Sequence, residues 1–278
     1  MIDLHLHTTA SDGALAPPDL VLEARAAGLS ILSVTDHDTT GGLAAAQDAA
    51  AGAHIEVIPG IEISSVADGR DVHVLGYFVD PESPSLRAFL LSQRQDRLRR
   101  ISDIRDRLSV LGCPIDIDPI LDAAARGQSV GRPQIAAALV RAGHVRSRDE
   151  AFDRFLEFGG PAFVPRAGVS PAEVVSLVHE AGGIASLAHP GLTACDALIP
   201  PLAAAGLDAI EAWHPDHDAS TQAKYRRLAA ALGLLVTGGS DFHGVPGHGA
   251  STLGSVALPA ADLERLRIAA DRRRAADP

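Results

Sequence analysis

Residues 61–78 read IEISSVADGRDVHVLGYF, and how this stretch folds decides the topology. Two strand-like runs, 61–66 and 71–78, are separated only by Ala67-Asp68-Gly69-Arg70. A parallel crossover needs about a dozen residues or more, so the runs must form an antiparallel hairpin, and Asp-Gly is a strong two-residue turn signal. With Asp68-Gly69 at the centre, His73 falls opposite Ser64. Glu62 is then the diagonal neighbour of His73 on the same face, about 7–8 Å away by Cα, within reach of one shared ion or of an ion pair.

On the N-terminal side of the hairpin, strand-like runs at 2–7, 31–35 and 55–65 alternate with helical runs at 17–27 and 43–51. The rhythm returns after residue 166. Helices are expected at 171–180, 198–205, 221–232 and 260–275, and strands at 184–188, 209–213 and 234–237. Such alternation implies a parallel sheet or barrel. Seven strands result, giving an α/β fold close to a (β/α)7 barrel with one irregular corner. Residues 80–165 lose the strand rhythm and repeat Arg, Asp and Leu at helical spacing, in 86–111, 136–142 and 150–158. They are expected to form a helical insertion subdomain, with 1–79 and 166–278 building the barrel. The arginine-rich run 94–107 alternates with aspartates and is expected to be a salt-bridged helix surface.

The chain has 278 residues, enough for one or two domains with a real core. Lys plus Arg number 24 and Asp plus Glu 35, a net charge of −11, which argues against holding long duplex nucleic acid by bulk electrostatics. No run approaches the roughly 18 apolar residues of a membrane span. The first residues have neither the basic nor the apolar region of a signal peptide. Cys113 and Cys195 form no CxxC motif and no disulfide framework. A cytoplasmic protein without membrane contact is expected.

Twelve histidines are the unusual feature. His5 and His7 lie two apart on the first strand and so point to one face, with Asp12 in the loop beyond. Asp36, His37 and Asp38 close the second strand. Glu62 and His73 belong to the hairpin, His189 ends the strand at 184–188, and Asp241 and His243 follow the strand at 234–237. In barrels, function sits at the carboxyl ends of the strands. A single histidine is more often a core or surface residue, but six at strand ends beside three carboxylates would strand their charges without metal. Imidazole and carboxylate without cysteine favour Zn, Mn or Fe, and nine groups suit two or three ions. His214 and His217 follow the sixth strand and face the same rim as candidate proton donors. His54, His144, His179 and His248 are expected at the surface.

These motifs resemble the PHP (polymerase and histidinol phosphatase) family of metal-dependent phosphoesterases. The resemblance rests on Asp3-Leu4-His5-Leu6-His7 with Ser11-Asp12-Gly13, on Thr35-Asp36-His37-Asp38, on Pro59-Gly60-Ile61-Glu62 with His73, and on Ala188-His189-Pro190-Gly191 with Gly239-Ser240-Asp241-Phe242-His243. It spans residues 3–243 and is nearest to the stand-alone subgroup with a helical insertion, which includes nucleotide phosphatases and RNA-trimming enzymes. The resemblance implies a distorted (β/α)7 barrel. It assigns His5, His7, Glu62 and Asp241 to one ion, Glu62, His73 and His189 to a second, and Asp12, His37 and His243 to a third. Mg is a further option.

The expected reaction is hydrolysis of phosphate monoesters of small, nucleotide-type substrates, by in-line attack of a hydroxide bridging two ions. Arg132, in Gly131-Arg132-Pro133, and Arg166 are the candidate phosphate-binding residues, because the planar arginine fork matches phosphate oxygens in pairs. Asp241, His243, Arg132, His214 and His217 form the expected catalytic set. The alternative is 5′-3′ trimming of short RNA or oligonucleotides by the same site. An amidohydrolase of the carboxylated-lysine type is disfavoured, because the only lysine, Lys224, lies in a helix away from any strand end. A purely structural metal site would be smaller and closed. Ser240 beside Asp241 and His243 superficially resembles a hydrolase triad but lacks the Gly-x-Ser-x-Gly elbow.

Overall fold

The computed structural model describes residues 1–244 and 252–276. Its sheet has seven strands in chain order: β1 (Ile2–Leu6), β2 (Ile31–Val34), β3 (Glu56–Ala67), β4 (Arg70–Tyr77), β5 (Ile184–Leu187), β6 (Ala209–Trp213) and β7 (Leu235–Gly238). β1, β2 and β3 are parallel, β4 is antiparallel to both β3 and β5, and β5, β6 and β7 are again parallel. The edges of the curled sheet meet just past β7. There Phe242 bridges Leu6 in parallel, and the His7 N–H donates to the Phe242 carbonyl at 2.9 Å. The result is a distorted (β/α)7 barrel.

The hairpin adopts the register its turn dictates. Ser64 stands opposite His73 and Glu62 opposite Leu75, and Ala67 and Arg70 close the ladder. Asp68 (φ 50°) and Gly69 (φ 75°) form the turn, with the positive φ that a two-residue primed turn needs.

Helices α1 (Pro17–Ala26) and α2 (Leu43–Ala53) pack on Leu6, Leu32 and Val34. After β4 come α3 (Pro84–Val110), α4 (Asp118–Ala125), α5 (Arg132–Arg141) and α6 (Arg148–Ala151). Then follow α7 (Pro171–Glu180), α8 (Pro190–Thr193), α9 (Ile199–Ala204), α10 (Ala219–Leu232) and α11 (Ala260–Ala276). A capping box starts α7: the Glu173 N–H donates to Ser170 Oγ, and the Ser170 N–H donates back to the Glu173 carboxylate at 2.7 Å. Val174, Ile199 and Tyr225 of α7, α9 and α10 pack on Ile63, Val74 and Ile210. Leu263 and Leu266 of α11 pack on Leu4, Leu75 and Tyr77. Each such buried aliphatic side chain contributes about 1.5–3 kcal/mol.

Helices α3 to α6 share a separate apolar cluster that includes Ile104, Leu108, Ile120, Ile135, Leu139 and Phe155. This unit is tied to the loop carrying Asp12. The Gln128 side chain donates to the Thr9 carbonyl at 2.7 Å, the Ser129 N–H to Ala10 at 2.7 Å, and the Gln134 side chain to Ser11 at 3.0 Å.

Several local expectations change. The helix expected at 150–158 is α6 followed by a π turn, Phe152–Leu156, in which both Phe155 and Leu156 are buried. α4 was not anticipated, because its eight residues, with Ile120 and Ala124 buried, make barely two turns, too short for a helical repeat to stand out. The arginine run of α3 is only partly a solvated face. Arg99 pairs outward with Asp96 and Asp103, but Arg97 and Arg100 are buried, on the same face as Ile101, Ile104 and Leu108. His54 is exposed, while His144 and His179 are half-buried against the Pro114 carbonyl and Asp208. His248 lies outside the described residues. Among the described residues no helix is long and apolar enough to cross a membrane.

Candidate metal centre

Glu62, fully buried on β3, is the hub. Its Oε2 lies 3.2 Å from His5 Nε2, 3.2 Å from His7 Nε2 and 3.1 Å from His37 Nδ1. Its Oε1 lies 2.9 Å from His73 Nδ1 and 3.1 Å from His189 Nε2. Asp241 Oδ1 closes the cluster from beyond β7, 3.3 Å from His5 Nε2 and 3.2 Å from His7 Nε2. On the outer side, Asp12 Oδ1 is 3.3 Å from His243 Nε2, and Asp12 Oδ2 is 3.8 Å from His37 Nε2. All nine expected groups converge at one end of the barrel.

Their donor atoms fall into three groups, each within 4.8 Å: His5, His7, Glu62 and Asp241; His7, Asp12, His37 and His243; and His37, Glu62 and His73. The first is the set that the resemblance implied. The second adds His7 to the outer set. In the third His37 accompanies His73, while His189 shares the same Glu62 oxygen from the other side.

The residues fit divalent metal. His7 Nε2, His37 Nδ1 and His73 Nδ1 lie near 3 Å from carboxylate oxygens yet make no hydrogen bond. Nitrogen and oxygen point at common positions rather than at each other. Burial works to raise Glu62, but His37, His73 and His5 reverse this and hold its carboxyl well below the usual range. Asp12 and Asp241 are held down likewise, against burial, by His243 and His37 and by His5 and His243. All three are ionised, as metal binding requires. Burial drives His37 down to about 3 against the pull of Glu62 and Asp12, whereas neighbouring carboxylates outweigh burial and raise His5 well above the ordinary imidazole range and His7 to about 10. Two backbones are strained at the site, His189 at φ 26° and Asp241 at φ 49°.

The flanking histidines separate. His214 is buried, with Nε2 3.6 Å from Asp241 Oδ2, and its Nδ1 accepts the Asp216 N–H at 3.2 Å. The neutral ring therefore carries its proton on Nε2, facing the cluster. His217 does not reach the cluster. Its Nε2 accepts the Gly191 N–H at 3.2 Å and its Nδ1 donates to the Ala212 carbonyl at 3.1 Å. Both nitrogens are engaged by backbone, which corrects the expectation of a catalytic His217.

Arg132 and Arg166 meet beside His37 and His73. Arg132 Nη2 lies 2.7 Å from Asp71 Oδ2, and Arg166 Nη1 lies 3.3 Å from Asp38 Oδ2. Two further arginines missed in the sequence join them. Arg97 Nε donates to Asp38 Oδ2 at 2.9 Å, and Arg100 Nη2 lies 3.7 Å from Asp71 Oδ2. Glu211 was also missed. It is fully buried on β6 and accepts from His5 Nδ1 at 2.9 Å. Only the helical face of α3, and the inward position of Glu211 on its strand, carried any signal of these roles.

A closed seven-strand barrel with imidazoles and carboxylates gathered at the strand ends defines the class of metal-dependent hydrolases. The PHP domain family is matched over residues 3–130. The chain is 35% identical over 258 residues to a 3′,5′-nucleoside bisphosphate phosphatase of Chromobacterium violaceum, covering 91% of this chain and 90% of that protein. It is 37% identical over 246 residues to a 5′-3′ exoribonuclease of Haemophilus influenzae, covering 87% and 89%. A protein of Bifidobacterium adolescentis assigned as a metal-dependent phosphoesterase superposes with a TM-score of 0.87 at 33% identity, over 96% of this chain and 95% of that one. The chain belongs to the PHP-domain family and is a metal-dependent phosphoesterase, a hydrolase of phosphate esters.

Proposed function

We propose that the protein hydrolyses a phosphate monoester of small nucleotides that carry a second phosphate, releasing inorganic phosphate and the free hydroxyl. The observation behind this reading is a cavity of about 110 Å³ abutting His37 and His73 and lined by Arg97, Arg100, Arg132 and Arg166. These four guanidinium groups face two carboxylates, Asp38 and Asp71. Burial, with crowding by Arg132, Arg166 and Arg97, brings Arg100 down to about 10 despite Asp71. Arg100 Nη2, Arg166 Nε and Ser129 Oγ are buried without a hydrogen-bond partner. A phosphate dianion supplies the missing charge and acceptors.

Two or three divalent ions, of Mn, Zn or Fe with Mg an option, would be held by His5, His7, Asp12, His37, Glu62, His73, His189, Asp241 and His243. When bound they supply Lewis acidity, which makes a hydroxide nucleophile available near neutral pH and neutralises charge on phosphoryl oxygens. The chain's own groups do the rest. Arg132 and Arg166 orient the substrate through its second phosphate. His214 holds a proton on Nε2 beside Asp241, placed to pass it to the leaving oxygen. His243 Nδ1 donates to the Asp241 carbonyl at 2.9 Å, which turns its Nε2 lone pair towards Asp12.

Arg132→Ala separates the roles. It should raise KM for a nucleoside 3′,5′-bisphosphate about 10–100-fold, the worth of a charge-assisted hydrogen bond, and leave kcat/KM for the matching 3′-monophosphate nearly unchanged. Equal effects on both would contradict the reading.

Trimming of short RNA is the second reading, supported by a wider opening of about 600 Å³ lined by Phe152, Phe158 and Leu192, where bases can stack. Asp153, Glu157 and Asp216 also line this opening. Arg132 and Arg148 line it too, but the acidic groups outnumber them, which works against drawing in a long polyanion and favours the first reading. The net charge of −11 disfavours long duplexes in the same way. The unpaired Cys113 and Cys195 suit a cytoplasmic location.

A further inference from the structure

We propose that Glu211 is a positioning residue for the metal centre: one buried carboxylate that sets two imidazoles, His5 and His189, against the two oxygens of Glu62. The inference rests on the metal-centre reading above and adds a residue that lies in none of its donor groups.

Glu211 Oε1 accepts from His5 Nδ1 at 2.9 Å. That bond keeps the His5 proton on Nδ1 and leaves the Nε2 lone pair facing Glu62 Oε2 at 3.2 Å and Asp241 Oδ1 at 3.3 Å. Glu211 Oε2 accepts the His189 backbone N–H at 2.8 Å. His189 sits at φ 26° and ψ 56°, a conformation rare for a side-chain-bearing residue. The bond anchors that strained turn, and with it the ring whose Nε2 is 3.1 Å from Glu62 Oε1. The two rings lie within 18° of parallel with centroids 5.8 Å apart. One side chain on β6 thus fixes a tautomer on β1 and a backbone angle after β5.

A purely structural role does not account for the acid. Among the described residues no Lys or Arg lies within 4.0 Å of Glu211. A carboxylate out of solvent and without a permanently charged partner carries a desolvation penalty of several kcal/mol, which an apolar side chain would avoid. A glutamine of the same shape cannot replace it. Glutamine has one acceptor oxygen and one donor amide. If the amide faces His189 N–H, two donors collide and the turn loses its anchor. If it faces His5 Nδ1, the His5 proton moves to Nε2 and occupies the lone pair needed for metal.

The test is titration of purified apo-protein with Zn or Mn against a chelating dye, with folding followed by circular dichroism. Glu211→Gln should stay folded and bind the ion about 10–100-fold more weakly, the usual effect of losing such an outer partner. Thr237→Val, which alters the neighbour paired with Glu211 on β7, should leave affinity at the wild-type value even if it lowers Tm. If Glu211→Gln does not fold, Glu211→Asp carries the test, because its shorter stem cannot span both partners and should weaken binding. Unchanged affinity in whichever variant folds overturns the inference while leaving the metal-centre reading standing. Wild-type protein that takes up no ion overturns both.

Discussion

Five imidazoles surround Glu62, and at residue scale the chemistry follows from that crowding. Asp241 is the other carboxylate shared by His5 and His7. Asp241→Ala should fold but lose at least about 100-fold in kcat, more than loss of an outer partner would produce; near-native turnover by metal-replete variant protein would refute its role. Asp38 tests the arginine network through pH. Burial works to raise its pKa, but Arg97 and Arg166 bring it down to about 2. A depressed carboxyl adds stability that is complete above its unfolded value of 3.8 and is lost as pH falls through about 2. Wild-type protein should therefore lose about 2 kcal/mol from this group between roughly pH 4 and 2. Asp38→Asn should be less stable at pH 7 and show a flatter acid limb in urea titrations. The nine central groups were legible because strand ends and period-2 spacing bring them together. Arg97, Arg100 and Glu211 were not, since their partners lie 59, 29 and 206 positions away in the chain, and a helical face or an inward strand position does not say which partner a charge meets.

The hairpin of β3 and β4 is the element on which the site depends. Its turn sets the register, and the register brings His73 Nδ1 to 2.9 Å from Glu62 Oε1. Both were readable, because an Asp-Gly turn leaves only one pairing. Gly69 sits at φ 75°, so Gly69→Val should cost about 1–2 kcal/mol and weaken metal binding through the shifted register; a variant with native Tm would contradict this. Helix α3 was read less well. Its hydrophobic face is interrupted by Arg97 and Arg100, and buried arginine cannot be told from solvated arginine until its acid partners are known. Arg97→Ala would leave Asp38 buried with Arg166 as its one remaining basic partner among the described residues, a loss of about 3 kcal/mol measurable by urea unfolding.

On the scale of the whole molecule, closure of the barrel at Leu6 and Phe242 brings β1 and the segment after β7 together, so that residues 5 and 241 share one centre. Ions bound there would hold the two edges in place. Metal at 100 to 1000 times its Kd should stabilise the fold by about 3–4 kcal/mol, and chelation should lower Tm by roughly 5–15 °C and abolish activity reversibly. Substrate choice is decided by offering Mn-loaded protein a nucleoside 3′,5′-bisphosphate and a 5′-labelled RNA pentamer and following inorganic phosphate and chain length together. Rapid phosphate release from the bisphosphate, with the pentamer shortened slowly or not at all, is the predicted result. Stepwise shortening of the pentamer with no phosphate from the bisphosphate would contradict it.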